Sequence, residues 1–158
     1  MSLRRLPLLL GILGVAVAPP VADAQISRYL GGSGEPLALE DGRGRVMITS
    51  RVGAVIGTIE RGRIGVVDYP RGAKTAIELS GCETRRRPTP HLRVCIGQDI
   101  TFSVVKGRWF VRLRGSGINA SAVLEGSVSL VGRAGTYEVG EEGKERRWPR
   151  TLRSFRLG

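Results

Sequence analysis

Cysteine and histidine are scarce in this 158-residue chain: Cys82, Cys95 and His91 are all it has. A structural zinc site takes four Cys or His ligands, so these three could not complete one without a carboxylate. A cysteine nucleophile needs a thiolate and an orienting base, and no nucleophile-elbow context accompanies His91. His91 therefore reads as a polar loop residue. Aromatics make up 5% of the chain, too few to fill a core and also line a broad stacking surface. No stretch after residue 30 repeats apolar residues at helical spacing over three turns, which argues against a helical bundle. No glycine-rich loop leads into a helix; "GGSG" (31–34) and "GRGR" (42–45) read as linker or turn glycines, not phosphate cradles. The adjacent carboxylates Glu40-Asp41 and Glu141-Glu142 fall in predicted turns, and a glycosidase needs its pair held apart across a cleft. These absences point to a non-enzymatic chain without metal or cofactor.

What is present begins with a leader. Arg4 and Arg5 precede an apolar run from Leu6 to Val17, and Ala22-Asp23-Ala24 supplies a small-x-small cleavage pattern. Pro7, Gly11 and Gly14 interrupt the run and Pro19-Pro20 ends it, so it falls short of the roughly 20 apolar residues a membrane span takes. Cleavage after Ala24 is expected, with 25–35 as a flexible lead-in and 36–158 as one β-domain. The mature chain should be secreted, periplasmic or held at the cell envelope, with no membrane span.

The net charge is +11, and losing Arg4, Arg5 and Asp23 with the leader lowers it to +10. Such a balance favours an acidic surface or anionic polymer without implying a specific nucleic acid. Lysine contributes only Lys74, Lys106 and Lys144; arginine supplies the other basic residues. With abundant Gly, Ala and Val, that bias also matches the codon usage of a G+C-rich genome, so the charge by itself does not define a site.

Short β-branched runs recur, each ending before a glycine: Asp41-Gly42, Arg61-Gly62, Lys106-Gly107, Glu125-Gly126 and Ala134-Gly135. Two-residue hairpin turns need positive φ, which glycine adopts without steric cost. Counting the runs predicts roughly eight to ten strands in an antiparallel meander, forming a compact sandwich or barrel. "TIERGRIGVV" (58–67) and "AVLEGSVSLV" (122–131) echo each other about their glycines, which keeps a short β-helix as the alternative. The clearest hairpin is 100–115, where Trp109, Val111 and Leu113 alternate with Arg108, Phe110, Arg112 and Arg114. The first set should face the core with Phe102 and Val104. Phe155 and Leu157 in the tail alternate likewise and predict a closing strand.

In an oxidising compartment an even cysteine count predicts a disulfide. Cys82–Cys95 would tie a hairpin of strands 76–82 and 92–96, and closing a loop of about 14 residues stabilises by about 3 kcal/mol in the chain-entropy view. Between the cysteines, "ETRRRPTPH" should form an extended tip without ladder bonds, because of Pro88 and Pro90. Arg85, Arg86 and Arg87 are then either a solvated tip, the ordinary fate of a charge run, or an anion site. Arg108, Arg112 and Arg114 around Phe110 are the second anion candidate, with Phe110 as a stacking platform. The plainer reading packs Phe110 beneath a neighbouring strand with the arginines lying over it.

The run "GRWFVRLRGSGINASAVLEGSVSL" (107–130) and the terminal "FRLG" resemble small exported β-rich proteins of G+C-rich bacteria. That resemblance implies a β fold and brings no catalytic residues. The expected role is structural or binding, at the cell envelope or outside it, towards an anionic partner. The alternative is a secreted hydrolase, or a hydrolase inhibitor presenting the 83–93 loop.

Overall fold

Two strands of more than thirty residues organise the molecule. The computed structural model describes residues 34–140 and 143–158. The expected leader (1–24), most of the lead-in, and the Glu141-Glu142 pair lie outside these residues. The strands are β1 (Glu35–Tyr69), β2 (Ala76–Thr89), β3 (Leu92–Val105), β4 (Arg108–Val139), β5 (Arg146–Arg147) and β6 (Arg153–Leu157). All ladders are antiparallel and belong to one sheet.

β1 and β4 each serve as two strand lengths. Residues 52–69 of β1 pair with 108–125 of β4, and 37–50 pair with 126–139. Residues 35–50 also pair, on their other edge, with 109–124. Across the sheet the order is therefore β2, β3, 52–69, 108–124, 35–50 and 126–139, with β5 and β6 on the far side. The two ends do not join, so the sheet is not a closed barrel, and nothing in its pairing is the parallel coil of a β-helix.

The core follows from side-chain alternation. Trp109, Val111 and Leu113 are fully buried, as are Phe102 and Val104 to within 1%. They meet Ile48, Ile64, Leu124 and Leu130 in a single cluster that spans the whole sheet. Each such side chain contributes about 1.5–3 kcal/mol by leaving water, which makes this cluster the main source of stability. Phe155 and Leu157 lie in β6 as expected, with Leu157 buried and Phe155 stacked 5.4 Å from Tyr137.

The alternation is not continuous. In β4 the inward residues are 109, 111 and 113, then 118, 120, 122 and 124. Besides a change between Ser50 and Val55, β1 changes phase between Leu39 and Val46 and between Ile59 and Ile64, and β3 between Cys95 and Ile100. These phase changes sit side by side in the ladder: Arg61 is opposite both Gln98 and Ser116, and Gly44 is opposite both Gly115 and Gly132. Asp41 (φ 45°), Asp99 (φ 50°) and Gly117 (φ 59°) mark the kinks. Together they form a transverse seam where successive strands turn the opposite face to the core, as β-bulges do.

This seam explains why fewer strands form than the glycine count predicts. Of the five expected turns, only Lys106-Gly107 is one, with both φ values positive (65° and 67°). Gly42, Gly62 and Gly135 belong to the seam, and Gly126 lies inside β4 opposite Ser50. A residue ahead of glycine signals positive φ or close backbone approach, and bulges use both as readily as turns do. In the echoed segments, Ile64 and Val128 are both core, as are Val66 and Leu130, but neither glycine makes a hairpin.

The disulfide is present, Cys82 on β2 to Cys95 on β3, with Cα atoms 5.2 Å apart. The ladder-free tip is corrected. β2 runs on through Thr89, with Thr84, Arg85 and Arg86 opposite Ile96, Cys95 and Val94, and the reversal is confined to Pro90-His91. On an edge strand only one side needs ladder bonds, so Pro88 is tolerated there.

Candidate anion-binding face

The seam gathers arginines that are far apart in sequence. Arg114 on β4 stands directly opposite Arg63 on one side and Arg45 on the other. All three are exposed, and the seam's phase puts them outward while Ile64, Leu113 and Val46 point inward. Directly opposed residues have Cβ atoms about 4.5–5.5 Å apart, and like charges in that position are destabilising.

Two shallow depressions meet at this row. One, of about 660 Å³, is lined by Arg61, Gly62, Arg63, Gly97, Arg114 and Gly115, with Glu83, Ile96 and Gln98 at its side. The second, of about 580 Å³, shares Arg114 and Gly115 and continues over Arg43, Gly44, Arg45, Gly132, Arg133 and Arg150. The result is a groove across the strands, with buried and half-buried glycines along its floor and guanidinium groups along its sides. Glu83 is its one carboxylate. Among the described residues a single ion pair falls within 4.0 Å, Arg51 to Glu125 at 3.9 Å, and it lies elsewhere. Arg61 donates to Gln98 Oε1 at 3.3 Å. Among the described residues the groove's guanidinium groups thus form no ion pair with a carboxylate.

The sequence candidates are distributed differently. Arg108, Arg112 and Arg114 do not act as one patch. Arg114 lies at the centre of the groove, and Arg112 sits 5.7 Å from the Phe110 ring centroid. Arg108 lines a separate cavity at the Lys106-Gly107 end of the sheet. Phe110 is half-buried on the outer face between Thr49 and Val67, partly covered by Arg112, and so does not present a bare ring. Arg85, Arg86 and Arg87 line a third depression with Arg93 and Glu78. There Arg85 donates to the Leu79 carbonyl (3.0 Å) and Arg87 to that of Pro90 (2.9 Å). These bonds spend part of the donor fork on the protein's own backbone.

Arg43, Arg45, Arg61, Arg63, Arg133 and Arg150 are the groove residues that the sequence reading did not single out. "GRGR" at 42–45 and "RGR" at 61–63 were the available signal: arginines two apart, flanking a glycine, on what proves to be one face. Cys82 and Cys95 are joined and no free cysteine remains among the described residues. No group of three or more His, Cys, Asp or Glu residues placed to hold a metal occurs among them either.

No family model, curated protein or solved structure matches this chain.

Proposed function

We propose that the chain is an exported, non-enzymatic binding module of the cell envelope or its exterior, whose outer face takes a linear anionic polymer along the arginine groove. One observation carries this reading: Arg63, Arg114 and Arg45 stand side by side across three strand lengths with no carboxylate among them. Three adjacent like charges cost stability in the isolated protein, and a polyanion threading the groove reverses the sign of that term. Guanidinium groups suit phosphate, sulfate or carboxylate, since each offers a planar fork of donors. The glycines add no side chains to the groove floor, so an extended chain can lie between the guanidinium groups. Export is supported by the leader pattern and agrees with the disulfide.

The test compares two triple variants of equal charge. Arg45→Ser/Arg63→Ser/Arg114→Ser removes the row, and Arg85→Ser/Arg86→Ser/Arg87→Ser removes the same charge from the edge strand. Binding of a heparin fragment is measured over a salt series, because each neutralised charge releases counterions and steepens the dependence. The row variant should lose far more affinity and about three charges' worth of slope. Equal losses would reduce the groove to part of a diffuse positive field and end this reading.

A further inference from the structure

A second, unrelated basic site lies at the start of β4. Arg108 is six residues from Arg114, about 20 Å along an extended strand. Here the Lys106-Gly107 turn docks on β1, with Lys106 N donating to the Gly53 carbonyl at 3.1 Å. A cavity of about 430 Å³ opens beside it, lined by Arg51, Arg71, Lys106 and Arg108 together with Val52, Ala73 and the backbone of three glycines. No carboxylate lines it. Arg51 has only the long contact with Glu125, and its side chain is 67% exposed.

The buried polar groups distinguish this cavity from an ordinary basic patch. Among the described residues, three buried side-chain atoms have no hydrogen-bond partner: Ser50 Oγ, Thr75 Oγ1 and Trp109 Nε1. All three belong to this end of the sheet. Thr75 Oγ1 lies against the cavity-lining Gly107, where a Cβ would collide with it and with the Ala73 carbonyl. Ser50 and Trp109 are directly opposite each other in the ladder and face the core, so neither lines the cavity. Buried polar groups are nearly always paired. The Thr75 hydroxyl beside the turn can donate, and the cations lining the cavity call for an acceptor of opposite charge. Four cations, one unpaired hydroxyl beside the turn and turn backbone with positive φ together suit a compact, multiply charged acceptor.

We infer that the cavity between the Lys106-Gly107 turn and the 71–75 connection binds a phosphate oxyanion. Thr75 supplies the inner hydroxyl, and Arg51, Arg71, Lys106 and Arg108 supply the charge. The phosphate can be free or carried on a lipid headgroup. Val52 and Tyr69, two of the exposed large apolar residues, stand beside the site, Val52 in its lining and Tyr69 opposite Arg108.

Isotope-labelled full-length mature protein titrated with inorganic phosphate, at constant ionic strength with chloride, tests the site by amide and indole NMR shifts. Shifts should concentrate at Gly53, Gly72 and Gly107, and the core-facing Trp109 indole should move little. Thr75→Val should weaken binding about tenfold, the scale of one hydrogen bond to a charged group, and Thr75→Ser should restore it. Arg71→Gln with Lys106→Asn should weaken it at least as much. This pair keeps the test alive if Thr75→Val fails to fold, since asparagine tolerates the positive φ at 106. The groove variant Arg45→Ser/Arg63→Ser/Arg114→Ser should bind phosphate here unchanged. Shifts spread evenly over the basic surface, or none at this end, would overturn the inference, as would full affinity in the Arg71/Lys106 variant. Phosphatidylcholine vesicles with and without phosphatidic acid separate the two sources. Capture that needs phosphatidic acid and is lost in Val52→Ser/Tyr69→Ser, with free phosphate still bound, assigns the headgroup. Phosphate binding without vesicle capture assigns the free ion.

Discussion

Gly62 of β1 and Gly115 of β4 face each other so closely that neither can carry a side chain. A Cβ on Gly62 would run into the carbonyl oxygen of Arg114, and one on Gly115 into that of Arg61. The obstruction is reciprocal and consists of backbone, so no rotamer change relieves it. Gly62→Ala or Gly115→Ala should therefore destabilise by about 1–3 kcal/mol, the usual scale of overpacking. Gly65 provides the control, since a Cβ there meets only Leu92 Cδ1 at 4.0 Å. Gly65→Ala should be neutral or gain up to about 1 kcal/mol from reduced backbone entropy. Urea unfolding of the three variants checks the order; equal effects would deny the seam its special packing.

The core face makes a second prediction. Trp109→Ala or Leu113→Ala should cost about 2–5 kcal/mol through lost transfer energy and a residual cavity. Arg112→Ala, on the opposite face of the same strand, should cost under about 1 kcal/mol. Thermal or denaturant unfolding decides it, and a reversed order would mean that β4 is inside out.

This part of the fold was legible in the sequence because strict alternation over 109–114 allows one reading. Reading failed where alternation breaks. Between Leu113 and Ile118 the phase shifts by one residue, so a rule of period two assigns one side or the other to the wrong face. The glycines at the shift then resemble turns, because positive φ and close approach serve both purposes. The groove was invisible for a related reason. Arg45, Arg63 and Arg114 are neighbours only through ladder register, which no local pattern states. Trp148 escaped notice too, placed in what reads as a charged tail. It is buried, donates its indole N–H to the Thr136 carbonyl at 2.9 Å, and packs where Cβ atoms of Gly42 and Gly132 would otherwise lie.

The arginine row should show opposite effects on stability and binding. Arg114→Gln removes the middle of three like charges, so the free protein should become more stable by about 0.2–1 kcal/mol at low salt. Raising the salt to about 1 M should erase the gain, as the screening length falls to about 3 Å. The same variant should bind the heparin fragment more weakly. Unfolding curves at two ionic strengths, set beside the binding isotherm, check both signs. A variant that lost stability at low salt would show that the row is not strained by its own charge.

Mature protein from the exported fraction should contain no alkylatable thiol, and its mass should lie about 2 Da below the reduced form, as expected for cystine in an oxidising compartment. Reduction should lower stability by about 3 kcal/mol in the chain-entropy view of a loop this size. Intact mass spectrometry with and without reductant, followed by unfolding of both forms, measures each quantity. Two reactive thiols in freshly exported protein would contradict the bridge.

The seam also limits how this chain could change length. Because the kinks in β1, β3 and β4 lie level with one another, deleting or inserting one residue on either side would displace that strand's kink from its neighbours'. Every side chain beyond it would then be carried to the opposite surface. No compensating change in a single neighbouring strand would suffice, since each strand at the seam is shared with others. Length variation among descendants of this sequence should accordingly fall in connections away from the seam such as 70–75, with strand lengths at the seam held fixed to the residue.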